Sequence, residues 1–180
     1  RYGVLGIECS LLEIQKLAWF LERNVAQMND TNPFDLRFAP NKYGPYSDRL
    51  KHFLNGLDGS YLHCEKRLAD AGPQDVIWFD EPRREIVDLY LKDEEAKPFL
   101  PALERTTEMI DGFESPLGME LLATVDWLLC REGVEPTVEA IRQGLEAWSG
   151  GVDAAQRKLR LFDTRLIELA LKQLMPFQPA

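Results

Sequence analysis

Histidine and cysteine are scarce in this chain of 180 residues: two histidines, His52 and His63, and three cysteines, Cys9, Cys64 and Cys130. Three scattered thiols exclude a disulfide framework, and no pair has the close spacing of a zinc or redox motif. Neither histidine lies in a nucleophile elbow, so acyl-transfer chemistry has no visible base. His52 reads as a surface or hydrogen-bonded structural residue. His63 beside Cys64 lacks further ligands at motif spacing, so no metal is predicted, and no cofactor. Glycine numbers only twelve, with no GxGxxG and no P-loop; Gly56, Gly59 and Gly112 read as turn and helix-end residues. No apolar run approaches the roughly eighteen residues that span a bilayer, which predicts no membrane contact. Arg1 begins without a signal h-region and looks like the cut end of a longer protein, and the cytoplasm is the expected compartment.

What is present is an ordinary globular composition, 45% hydrophobic and 28% charged, in a length that suits one domain over residues 1–180. Thirty acids against 21 bases give a net charge of −9, which argues against direct nucleic-acid binding by phosphate neutralisation. The imbalance is local. Residues 75–114 hold twelve acids and five bases, net −7, whereas residues 1–74 balance and residues 115–180 are at −2. Two readings follow: a solvated face that keeps the protein soluble, or a surface that attracts a basic partner. The neighbouring acids Asp80-Glu81 and Glu94-Glu95 point apart on a helix or strand, so they read as electrostatic and not as a general acid and base.

Periodicity predicts a mainly α, α+β domain: compact helices with a small β-sheet or hairpin. A helix over 10–28, capped by Ser10, carries the stripe Leu11, Ile14, Leu17, Ala18, Leu21 and Val25, widened by Trp19 and Phe20, and belongs in the centre of the domain. Turn chemistry over 29–33 precedes Phe34, Leu36 and Phe38, which alternate like a short strand. A second helix is expected to open at Gly44-Pro45 and bury Leu50, Phe53, Leu54 and Leu57 before Gly59. Short strands are predicted at 61–64, 76–79 and 86–91. Asp93 is expected to cap a helix to about 111, with Phe99, Leu103, Thr107 and Ile110 on one side. Ser115-Pro116 opens a strongly apolar helix towards Gly133, Thr137 caps another that ends at Gly150-Gly151, and two shorter helices follow at 154–158 and 163–174. Arg157, Lys158, Arg160 and Arg165 give this end a helix-turn-helix flavour, but Asp153, Asp163 and Glu168 beside them favour helix packing with salt bridges.

Three strings carry a resemblance: Leu12-Glu13-Ile14-Gln15-Lys16-Leu17-Ala18-Trp19-Phe20-Leu21; Lys42-Tyr43-Gly44-Pro45-Tyr46; and 112–125, with Gly112-Phe113-Glu114-Ser115-Pro116-Leu117 at its head. With Trp148 and Arg157-Lys158-Leu159-Arg160-Leu161-Phe162, they resemble the C-terminal domain of DarG antitoxins and, more distantly, Panacea-type antitoxin domains. The resemblance implies a toxin-binding domain, itself no enzyme, that neutralises a DarT-type DNA ADP-ribosyltransferase. In that family the hydrolase activity sits in an N-terminal macrodomain absent from this sequence. An acidic surface that blocks the toxin's DNA-binding face is the implied mechanism, with Asp80, Glu81, Asp93, Glu94 and Glu95 as electrostatic mimics. Tyr43 and Tyr46 either contact the partner or, with Pro45, build a turn packed on the first helix, while Trp19, Phe113 and Trp148 read as core. The alternative is an oligomerisation or structural module of a larger ADP-ribosyl-hydrolase protein. The oligomeric state is open.

Overall fold

The structure is a computed structural model that describes residues 9–29 and 32–178. In chain order its elements are β1 (Cys9–Ser10), α1 (Leu11–Met28), β2 (Ala39–Asn41), β3 (Gly44–Tyr46), α2 (Asp48–Leu57), β4 (Leu62–His63), β5 (Val76–Phe79), α3 (Arg84–Tyr90), α4 (Leu100–Met109), α5 (Pro116–Cys130), α6 (Val138–Glu146), α7 (Val152–Leu161) and α8 (Thr164–Leu174). The fold is mainly α with small antiparallel sheets, 61% helical. It divides into two compact units, one of residues 1–37 and 47–108, the other of 38–46 and 109–180.

In the first unit, α1 starts where the sequence says it should. Ser10 has extended backbone, and its hydroxyl and amide both meet the Glu13 carboxylate, at 2.6 and 2.8 Å, closing a capping box. Leu11, Leu12, Trp19, Phe20 and Val25 are buried, while Ile14, Leu17, Ala18 and Leu21 of the expected stripe are only half-buried. Six polar positions, Glu13, Gln15, Lys16, Glu22, Arg23 and Asn24, are buried too, because polar side chains here find partners, and only the last turn, Ala26 to Met28, is exposed. Gln15 exchanges two 2.9 Å hydrogen bonds with the Ser47 backbone. Glu22 accepts from the Leu36 amide at 2.8 Å and from Asn32 at 2.9 Å. Asn24 donates to Thr106 at 2.9 Å. Satisfied in this way, polar groups can be enclosed at little net cost.

Antiparallel pairing puts β5 between β1 and β4, with Cys9 opposite Ile77 and His63 opposite Trp78. Several expectations are corrected in this unit. Residues 34–37 are not a strand: Asp35 and Arg37 have φ of 41° and 53°, which breaks any ladder. Ser47, not Gly44-Pro45, opens α2, its hydroxyl accepting from the Leu50 amide at 3.1 Å. Leu50 and Leu54 are buried, but Phe53 and Leu57 face solvent. Residues 84–90 form α3 instead of a strand, since the turn Glu81–Arg83 with its proline launches a helix. The α4 helix begins only at Leu100, after a 3-10 turn, because Pro98 and Pro101 offer no N–H. Its buried side is Ala102, Thr106 and Met109, not Leu103 and Thr107. The expected turn over 29–33 includes residues 30 and 31, which lie outside the described residues.

In the second unit, β2 and β3 form a two-stranded ribbon with Asn41 opposite Gly44, whose φ of 90° lets the chain reverse. Ser115 caps α5 by accepting from the Gly118 amide at 3.1 Å, with Pro116 at the first helical position. From Met119 to Leu128 every residue of α5 is buried. This helix packs on β3, α6 and α8, where Leu121, Leu122, Val125, Leu128, Ile141, Leu145, Ile167 and Leu174 supply the buried apolar surface. Thr137 caps α6 as the sequence predicts, and Asp163, at the start of the helix expected over 163–174, caps α8.

Candidate functional site

The most unusual chemistry lies in the second unit, where residues from four segments converge. Lys158 on α7 has no solvent exposure, and Glu120 on α5 has 1%. The Lys158 ammonium donates to Glu120 Oε1 at 2.9 Å and to the Lys42 carbonyl in the ribbon turn at 3.1 Å. The ring of Trp148 lies 5.1 Å from Nζ, and that of Phe162 lies 5.7 Å away. Arg157 also pairs with Glu120 Oε1 and lies across the Tyr43 ring at 4.8 Å. The Trp148 indole N–H donates to the Asn41 carbonyl at 3.0 Å. Burial holds the Lys158 amine below its ordinary 10.5; Glu120 pulls in the opposite direction, and the Arg157 charge adds to the lowering.

Chemically this is a charge cluster whose inner pair, Lys158 and Glu120, is enclosed with the ammonium donating to the protein's own oxygens, while Arg157 at its edge stays a quarter exposed. It fixes the ribbon turn to α5 and α7. Tyr43, a candidate contact residue, is thereby built into the turn under two cations, Lys42 and Arg157. Tyr46 is half-buried at the end of β3. Trp148 is buried, and Phe113 is half-buried. Two of the four basic residues with helix-turn-helix flavour, Arg157 and Lys158, are committed inside this cluster, while Arg160 and Arg165 are exposed.

Sequence reasoning named Lys158 but missed its pairing. The signal lay in Glu120, an acid in the otherwise apolar run Leu117, Met119, Leu121, Leu122, where a lone carboxylate implies a buried cation.

The acidic candidates lie in the first unit and are mostly answered by local cations. Asp80 faces His63 Nε2 at 3.3 Å and Arg83 Nε at 3.8 Å. Glu81 makes a two-bond fork with Arg84, at 2.7 and 2.8 Å, which lowers the Glu81 carboxyl below its usual range. Glu94 pairs with Lys97. The Asp93 carboxylate accepts from the Glu95 amide at 3.0 Å, closing a turn. Asp75 binds Lys66 at 2.8 Å and the Gly72 amide at 2.6 Å, which lowers its carboxyl too. Of the five candidate carboxylates, Asp80, Glu81 and Glu94 are ion-paired with neighbouring cations, while the stretch 75–114 keeps its net charge of −7.

One further grouping stands on the outer face of β4 and β5. Tyr61 and His63 alternate along one strand edge, and Trp78 and Asp80 along the other. His63 and Trp78 rings lie 6.2 Å apart with 28° between their planes, and the Arg83 guanidinium covers Tyr61 at 5.7 Å. His52, on α2, is exposed and apart from this register pair. Among the described residues, no group of three or more His, Cys, Asp or Glu side chains is placed to hold a metal ion, and no helix is long and apolar enough to cross a membrane.

No family model matches the chain. Three curated proteins are similar to it, and each is named DNA ADP-ribosyl glycohydrolase. Those of Mycobacterium tuberculosis and Mycobacterium bovis are 32% identical over 173 residues, covering 92% of this chain and 44% of their own length. That of Thermus aquaticus is 31% identical over 156 residues, 82% of this chain and 38% of its own length. The chain therefore spans less than half the length of the curated relatives it matches. Their name is that of a hydrolase. It overturns the resemblance to a toxin-neutralising antitoxin domain, the antitoxin function drawn from it, and the expectation that the chain itself is no enzyme.

Proposed function

We propose that this chain is a structural and oligomerisation module of a larger DNA ADP-ribosyl glycohydrolase, an enzyme that hydrolyses the bond between ADP-ribose and DNA. The observation that carries this reading is the likeness to proteins of that name over 92% of the chain and only 44% of their length. Two features support a structural role: α5 is buried from Met119 to Leu128, and a fully enclosed ion pair locks it to α7. The apolar side chains that α3 leaves in solvent, Ile86, Leu89 and Tyr90, support the oligomerisation part. We place the protein in the cytoplasm; Cys9, Cys64 and Cys130 form no disulfide, as a reducing compartment maintains them.

The test uses the full-length protein that contains this chain. Incubated with ADP-ribosylated DNA it is expected to release free ADP-ribose, and light scattering is expected to give a multiple of the monomer mass. Intact modified DNA after long incubation rejects the hydrolase reading, and a monomer mass at high concentration rejects the oligomerisation part.

A further inference from the structure

The second unit is not one continuous stretch of chain. Residues 109–180 make up all of it except the ribbon 38–46, which comes from between two segments of the first unit. At its base the ribbon is clipped within the first unit: the Ser47 hydroxyl donates to the Leu36 carbonyl, and the Arg49 guanidinium donates to the Asp35 carbonyl at 2.9 Å. At its tip it is held by the second. Trp148 and Lys158 claim the carbonyls of Asn41 and Lys42, β3 lies on α5 with Gly44 and Pro45 buried, and the Arg157 guanidinium covers Tyr43. Gly150 leaves room for the tip, since a Cβ there would stand 2.8 Å from the Asn41 carbonyl oxygen. Without the ribbon, the Lys158 ammonium and the Trp148 indole N–H would each lose an acceptor. Residues 109–180 are therefore incomplete without an arm that the rest of the chain supplies.

The covalent route from residues 1–108 into 109–180 is the short connection between α4 and α5, and it is folded tightly. Gly112 has φ of 83°, and its amide donates to the Glu114 carboxylate at 2.7 Å. The Phe113 amide donates to the Ile110 carbonyl at 2.9 Å, and the Ser115 amide to the Phe113 carbonyl, two residues back, at 2.7 Å. That carbonyl is pressed on the first turn of α5, where glycine alone fits: a Cβ at Gly118 would lie 2.6 Å from it.

We propose that a second copy of this chain completes the unit: two chains exchange their 38–46 ribbons, each seated on the other's residues 109–180 through an opened 110–115 connection. A short, tightly folded hinge favours exchange. Once straightened, it no longer returns the chain onto itself, and the ribbon finds in the partner a site identical to its own. Every contact of the exchanged ribbon is one already made within a single chain, so no complementary outer face is required. That matters for copies of net charge −9, whose surfaces repel one another. The ribbon must leave its own site before it can enter another, so exchanged dimers form as the chain folds and persist on dilution. This inference rests on the proposed oligomerisation role and names the route by which it is met.

The test refolds the whole 180-residue chain from urea at high concentration and sizes it by light scattering after dilution. A dimer that persists until urea is added again is expected. Deleting Asp111 and Gly112, which leaves the connection too short to fold back, is expected to turn the chain wholly into dimer. Inserting a short run of glycine and serine after Gly112 is expected to turn it into monomer. A natural chain that is monomeric throughout, or an extended chain with as much dimer as the natural one, overturns the proposal, whether or not the shortened chain folds. Labelled and unlabelled chains are then refolded together in equal amounts. Isotope-filtered NMR is expected to show the Tyr43 ring of one chain against Arg157 of the other; a dimer whose ribbon contacts all lie within one chain overturns the proposal. The outcomes separate from those of the proposed function. A multimeric full-length protein with its ribbons seated at home removes the exchange alone, and a monomeric full-length protein beside an exchanged dimer of this chain removes the oligomerisation part alone.

Discussion

In the second unit the Lys158 ammonium and the Glu120 carboxylate meet at 2.9 Å with almost no exposure, whereas in the first unit Arg84 and Glu81 meet at 2.7 Å with more than half of each side chain in water. The distances are alike and the consequences are not. Water screens the outer pair and competes for its hydrogen bonds, so the pair adds little. Inside, each charge was taken out of water at high cost and is tolerable only while its partner remains. Two lessons follow. Acids that cluster in sequence are answered in part by cations three residues along the same turn, as Glu81 is by Arg84 and Glu94 by Lys97. And a basic residue in a cationic stretch need not face a polyanion, since Lys158 serves the interior of its own unit.

The largest expected effect is at Glu120. Glu120→Ala leaves a buried ammonium and is expected to cost about 3–5 kcal/mol in urea-induced unfolding. The double variant Glu120→Leu, Lys158→Met, which removes both charges, is expected to recover most of that loss. If the single and double variants are equally unstable, the interior pair is no different in kind from the exterior ones. Next comes Gly150, where an added Cβ would lie 2.3 Å from the Trp148 indole nitrogen and 2.8 Å from the Asn41 carbonyl oxygen. Gly150→Ala is expected to cost about 1–3 kcal/mol by overpacking, read from the same denaturation curves; wild-type stability would show that the ribbon turn yields freely.

Legibility differed between the two units for a related reason. The starts of α1, α5, α6 and α8 were readable because a cap is decided within four residues: Ser10 with Glu13, Ser115 with Pro116, Thr137, Asp163. The α3 helix was misread because Ile86, Val87, Leu89 and Leu91 imitate a strand, and nothing buried disciplines its pattern: no residue of it is enclosed. Gly44-Pro45 looked like a helix start, but the carbonyls of Asn41 and Lys42 are claimed by Trp148 and Lys158, more than a hundred positions away, and that tertiary claim holds the segment as a ribbon. The candidate acids were visible one by one. The pairing of Asp80 and Glu81 with Arg83 and Arg84 was not, because it depends on whether 80–84 is turn or strand. Trp78 was read as a strand residue, and its outward direction awaited the register with His63.

A smaller effect concerns pH. The folded-state amine of Lys158 lies below the 10.5 of an ordinary lysine, so between those two values the unfolded chain binds more protons than the folded one. Stability from this group therefore rises with pH across that window and is lost as pH falls through the folded value. Lys158→Met is expected to flatten the alkaline limb of a stability–pH curve measured by urea unfolding; an unchanged slope would mean that the amine is not shifted. Smallest of all, Glu81→Gln is expected to leave the unfolding midpoint where it was, and a clear loss would show that the outer pairs matter as much as the inner one.

Enclosure of the Lys158 amine carries a consequence for labelling. An acylating reagent reaches every exposed lysine of the native chain at once, but it meets position 158 only when α7 parts from α5. Modification there, followed peptide by peptide over time, is a clock for the opening of that half of the molecule, built into the protein without any probe being added.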